Sequence, residues 1–151
     1  MKKAYLALYK GHKDGKGAKV QLARLTDWAV RKITHGQYSH CEIAIDLGGG
    51  KFECYSASWR DGGVRCKSIH LQPEKWDLIE LPKTVAGQAR ALYRKTLGAK
   101  YDTWGVFATV LPHVKGNRTR WFCSEWCAMA LGLQQPEKYS PNSLAKLFQG
   151  V

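Results

Sequence analysis

An α+β domain, in which an antiparallel meander forms a barrel-like sheet packed against helices, is the fold class that the sequence predicts. Three observations carry this expectation. Residues 39–47, SHCEIAIDL, alternate along the chain with the period of a strand and run into a glycine triplet at 48–50. Residues 84–98, TVAGQARALYRKTLG, repeat their apolar positions at helical spacing. Residues 121–133, WFCSEWCAMALGL, are apolar nearly all round, as a helix buried inside a domain is.

The elements follow in order. Residues 3–11, KAYLALYKG, have the aromatic and aliphatic content of a strand and stop at Gly11. A basic loop, GHKDGKGAKV, leads to QLARLTDWAVRKI, where Leu22, Leu25, Ala29 and Ile33 recur at helical spacing. That pattern predicts a helix with those four residues inward and Arg24, Arg31 and Lys32 outward. In the next strand Cys41, Ile43, Ile45 and Leu47 share one face and His40, Glu42, Ala44 and Asp46 the other. KFECYSASW returns after the glycines, and VRCKSIHL and WDLIELP complete a predicted four-strand meander. The helix over 84–98 places Val85, Ala89, Leu92 and Thr96 on one face and ends at Gly98. A short apolar segment, YDTWGVFATVL, and a basic loop, HVKGNRTR, precede the buried helix. The last helix, SPNSLAKLF, has Ser140 as its N-cap and Pro141 at its first position.

Composition narrows the function classes. A chain of 151 residues suits one domain over 1–151 with a single core. Its 44% hydrophobic and 11% aromatic content excludes a disordered basic tail. Twenty-four Lys and Arg against twelve Asp and Glu, a formal charge of +12, favour polyanionic partners: nucleic acid, anionic membrane or acidic cell-wall polymers. Charge alone does not choose among them. The N-terminus lacks the long apolar run and small-residue cleavage site of a signal peptide, and no run approaches the roughly 20 residues of a membrane span. Five cysteines without a paired framework read as reduced thiols, so a cytoplasmic location is expected.

Chemistry is concentrated at two places. Cys123 falls in the first turn of its helix, where unpaired N–H groups and the positive end of the dipole stabilise a thiolate, with Arg118 and Arg120 just upstream. Cys127, one turn on, reads as packing. A nucleophilic cysteine needs a base, and of the five histidines His12, His35, His70 and His113 lie in surface-like contexts, whereas His40 begins the polar face of an apolar strand. Glu42 shares that face and is placed to orient the imidazole. The turn after the strand decides what lies opposite: a three-residue loop sets Ser56 across from Glu42, and a four-residue loop turns Ser56 inward. Glu53 lies toward the far end of the same hairpin.

YSHCEIAID, then CYSAS, GAKYD and FCSEWCAMALG, in that order, resemble the circularly permuted papain-like hydrolases, an NlpC-like superfamily that includes relatives of lecithin:retinol acyltransferase. There, too, a histidine in an SH strand precedes a cysteine in a CSE helix. The resemblance spans residues 38 to 132 and extends to small bacteriophage-encoded proteins. It implies a permuted papain-like fold, Cys123 as nucleophile, His40 as general base and Tyr101 beside the nucleophile. Relatives often carry Glu on the strand after the histidine where this chain has Ser56, so the third member is open between Glu42, placed first, and Ser56.

The expected chemistry is therefore attack of the thiolate on an amide or ester, through an acyl-enzyme, with no cofactor. A basic rim suits anionic, peptide-like substrates such as peptidoglycan fragments; a lipid acyl group or a protein amide is the alternative. Ser56, Tyr101, Arg120 and Trp121 are candidate substrate contacts, with Trp104 as a further wall. Zinc is disfavoured because neither CxxC nor HxxxH spacing occurs. The rival function is a non-enzymatic basic nucleic-acid-binding protein, using KGHKDGKGAK, KGNRTR and stacking residues such as Trp59 and Trp121.

Overall fold

The alternating segment forms a strand at the centre of the sheet. In the computed structural model, which describes residues 2–101 and 120–150, the elements run β1 (Ala4–Tyr9), α1 (Ala18–Ile33), β2 (His40–Gly48), β3 (Lys51–Ser58), β4 (Gly63–His70), β5 (Trp76–Leu81), α2 (Thr84–Thr96), β6 (Lys100–Tyr101), β7 (Arg120–Trp121), α3 (Cys123–Ala130), a 3-10 turn (Pro136–Lys138) and α4 (Pro141–Gln149). Five antiparallel strands stand in the order β5-β1-β2-β3-β4, and the two-residue β6 and β7 extend the β4 edge. With four α-helices among the described residues, the class is α+β. The segments 102–111 and 112–119, with Trp104, His113 and Arg118, lie outside the described residues.

Two features of the predicted sheet are corrected. Only β2, β3 and β4 form consecutive hairpins; β5 crosses back to pair with β1, with Leu6 opposite Ile79 and Tyr9 opposite Trp76. The connection over 71–75 contains Pro73 and is too long for a tight hairpin turn, so the chain is free to cross the sheet. Among the described residues the strand order is a line ending at β5, not the closed ring of a barrel.

The β2–β3 turn resolves the open register. Ile43 stands opposite Tyr55 and Ala44 opposite Cys54, while a bulge between Asp46 and Gly48 brings Gly48 opposite Lys51. Gly49 and Gly50 make the turn at φ of 63° and 74°, a left-handed backbone that glycine adopts without steric cost. Continuing the ladder by one pair sets Ser56 beside Glu42.

The main core lies on the Cys41, Ile43 and Ile45 face. Leu6 and Leu8 of β1, Val85 and Ala89 of α2, Trp126 and Cys127 of α3, and Leu144 of α4 close over it. Trp126 is fully buried, stacks on Tyr55 and donates its indole N–H to Thr96 Oγ1 at 3.0 Å. Truncating so large a buried ring typically costs about 3–5 kcal/mol. The other face carries a smaller cluster around Ala7, Ala44, Phe52, Cys54 and Leu71.

Helix α1 departs from its predicted orientation. Leu22 and Leu25, expected inward, are 54% and 59% exposed, and the helix buries only Ala23 and Asp27. Polar bonds hold it instead: Lys13 Nζ meets Asp27 at 2.7 Å, Arg24 donates to the Lys13 carbonyl at 2.9 and 2.7 Å, and Arg31 donates to the Gly11 carbonyl at 2.8 Å. Arg31, expected outward, is therefore half-buried. In α4 the predicted cap forms a reciprocal box between Ser140 and Ser143, with Pro141 in the first turn.

Candidate active site

Strand geometry sets the first pair. His40 opens β2 and Glu42 follows two residues later on the same face, so the ring and carboxylate meet: His40 Nε2 lies 3.0 Å from Glu42 Oε1. Glu42 is almost fully buried, which would disfavour its charge if it stood alone. Arg65, reaching over from β4, donates Nη1 to Oε2 and Nη2 to Oε1, each at 2.5 Å, a two-pronged guanidinium–carboxylate pair. Arg65 Nε donates in turn to Asp61 at 3.0 Å. Burial pushes the Glu42 carboxyl up, but the hydrogen bonds and charges of His40 and Arg65 prevail and bring it down to about 2.

The second pair joins helix to strand. Cys123 is the first residue of α3, preceded by Phe122 as an N-cap whose side chain makes no capping hydrogen bond. Its thiol and the His40 ring are near enough for each to shift the acidity of the other. The Cys123 thiol is held well below the ordinary cysteine value, first by a hydrogen bond from the Cys41 thiol and then, against burial, by the charge and hydrogen bond of His40. For His40, burial lowers basicity, yet the Cys123 thiolate and the Glu42 carboxylate outweigh it and lift the imidazolium to about 9. These shifts push Cys123 toward its thiolate and His40 toward its imidazolium, with a carboxylate and a guanidinium behind the ring.

Three thiols meet here. Cys41 and Cys127 are fully buried beside Cys123, and the Cys41 thiol is pushed well above its ordinary value by burial and by its two sulfur neighbours, so it stays a donor. All five cysteines are free.

A cleft of about 420 Å³ has His40, Glu42 and Arg65 among its walls. Tyr9, Trp59 and Trp76 supply aromatic surface, and Lys13, Arg60 and Lys75 supply positive charge. Ser39, also in the wall, is buried with its hydroxyl unpartnered among the described residues. Cys123, only 5% exposed, is not one of the walls.

The sequence candidates divide accordingly. Cys123, His40 and Glu42 come together. Ser56 does not reach the cleft: it is fully buried and donates to the Cys41 carbonyl at 2.7 Å, which corrects its assignment as a substrate contact and makes it a clamp between β3 and the His40 end of β2. Tyr101, Arg120 and Trp121 have their backbone in β6 and β7, and their expected side-chain roles lie outside the described residues. His12, His35 and His70 are exposed, and Glu53 is bound to Tyr55 and Arg90 away from the cleft. Sequence reasoning missed Arg65, Cys41 and Asn142. Arg65 stands opposite Ser56, so the β2–β3–β4 registers taken together point to it. Asn142 is buried and brackets Tyr38, accepting from its N–H and donating to its carbonyl at 2.9 Å each, and no local pattern announces that. Comparison with known proteins finds no matching family model, no matching curated protein and no matching solved structure.

Proposed function

We propose that the chain is a cysteine-dependent hydrolase or acyltransferase of permuted papain-like fold, with Cys123 as nucleophile, His40 as acid and base, and Glu42 orienting the ring. The observation that carries this reading is the continuous series Cys123–His40–Glu42–Arg65, in which each group favours the charged form of the next. A buried thiol that serves packing alone has its acidity lowered rather than raised, as Cys127 does here.

The Cys123 thiolate attacks an amide or ester carbonyl, and backbone N–H groups of the uncapped first turn of α3 receive the oxyanion, each such donor contributing about 3 kcal/mol in enzymes of this kind. As the C–N or C–O bond breaks, imidazolium gives its proton to the leaving amine or alcohol. His40 then takes a proton from water or another acceptor, which attacks the thioester, and the released thiolate completes the cycle. The formal charge of +12 favours an anionic, peptide-like substrate, with peptidoglycan fragments the first class to assay and lipid esters the second.

Alkylation by iodoacetamide tests the pair. With thiol acidity raised and the imidazolium persisting to about pH 9, wild-type Cys123 reacts quickly at neutral pH, with a rate nearly flat until His40 titrates near 9. His40→Ala makes the rate low at neutral pH and rising with an ordinary thiol titration, and Cys123→Ala removes turnover and the fast phase of labelling while the fold persists, leaving the slow reaction of part-exposed Cys66. Equal neutral-pH rates in wild type and His40→Ala would falsify the assignment.

A further inference from the structure

Helix α1 presents an amphipathic face that the protein does not use for its own core. Leu22, Leu25 and Trp28 are 54%, 59% and 57% exposed. At 100° per residue they occupy an arc of about 120°, away from Ala23 and Asp27, the residues the helix buries. Exposed Lys16, Lys19, Arg24 and Lys32 surround this stripe. The only acidic residue of the helix, Asp27, is turned inward against Lys13. The outward surface is therefore apolar and cationic with no negative charge of its own helix.

We propose that α1 docks the protein on an anionic lipid bilayer, with Leu22, Leu25 and Trp28 entering the boundary between headgroups and acyl chains and the flanking cations meeting lipid phosphates. Helices of this composition lie in the interface plane with their apolar face about 5–10 Å deep. The alternatives fit less of the surface. Nucleic acid would satisfy the cations and leave Leu22 and Leu25 in water. A second copy would oppose one cationic face to another, on chains of formal charge +12. Thr26, Asp27 and Val30, from the inward side of α1, help to wall the cleft at His40, so the docking stripe and that cleft lie on opposite sides of the helix. The inference stands on α1 alone and does not require Cys123 to be a nucleophile.

Co-sedimentation of the full chain with vesicles of phosphatidylcholine, with and without phosphatidylglycerol, tests it. Binding is expected only with phosphatidylglycerol present and weakens with salt. Leu25→Asp with Trp28→Asp lowers partitioning by more than about tenfold, because apolar insertion is lost. Lys19→Gln with Lys32→Gln lowers it by about fivefold per cation. Both pairs are exposed, so circular dichroism should be unchanged, and Cys123→Ala should bind as wild type does. Absence of binding overturns the proposal, as does binding indifferent to both α1 variants, which would locate adsorption on another face. A preference for single-stranded DNA over the vesicles, abolished by the lysine pair alone, also overturns it and assigns the surface to nucleic acid.

Discussion

Glu42 is buried between two groups of opposite charge, and that position dictates what removing either one does. Arg65→Met leaves a carboxylate with His40 as its remaining charged partner, and breaking a buried pair from one side typically costs about 3–5 kcal/mol. Glu42→Gln with Arg65→Met removes both charges, so urea unfolding should return a clearly sub-additive loss for the double variant. Additive losses would show that the two side chains do not share an interaction. The same arrangement separates stability from reactivity: the double variant recovers stability but not rapid neutral-pH alkylation of Cys123, because the imidazolium has lost the carboxylate that supports it.

At the scale of elements, α4 sets the approach to β2. Asn142 joins both backbone groups of Tyr38 and donates to Thr34 Oγ1 at 2.6 Å, holding the segment that delivers Ser39 and His40. Gly36 makes room for it, since a Cβ there would collide with Asn142 Oδ1. Asn142→Ala leaves the Tyr38 groups unpaired in the interior, at a cost of roughly 1–3 kcal/mol for each such group. Gly36→Ala should reproduce much of that loss by displacing the amide. Thermal unfolding of the two single variants and the double variant checks this, with the double expected to lose far less than the sum. Neither effect was legible locally, because residues 36 and 142 meet only after the sheet and α4 have assembled.

For the whole molecule, pH acts through the same buried pairs. The Glu42 carboxyl is depressed to about 2 in the fold from an ordinary 4.5, so its contribution to stability is present above pH 4.5 and disappears as pH falls through 2. His40, raised from 6.5 to about 9, contributes in the opposite sense: fully below pH 6.5, and lost as pH rises through 9. Urea unfolding across pH 2 to 9 should show a broad stability maximum, and Glu42→Gln should flatten its acid side. An unchanged acid limb in that variant would mean that other lowered carboxyls, such as Asp61 and Asp77, dominate it.

Local order along the chain determined the strands, the buried helix with Cys123 in its first turn, the Ser140 cap, and the shared face of His40 and Glu42. Each of these depends on a period or a neighbour within a few residues. Tertiary structure decided which strand β5 joins, the outward turn of α1, the gathering of three thiols, and the reach of Arg65 across the sheet to Glu42. Those outcomes depend on registers and crossings between distant segments, where a one-residue slip exchanges the two faces of a strand and an amphipathic helix is equally satisfied by a core or by another partner.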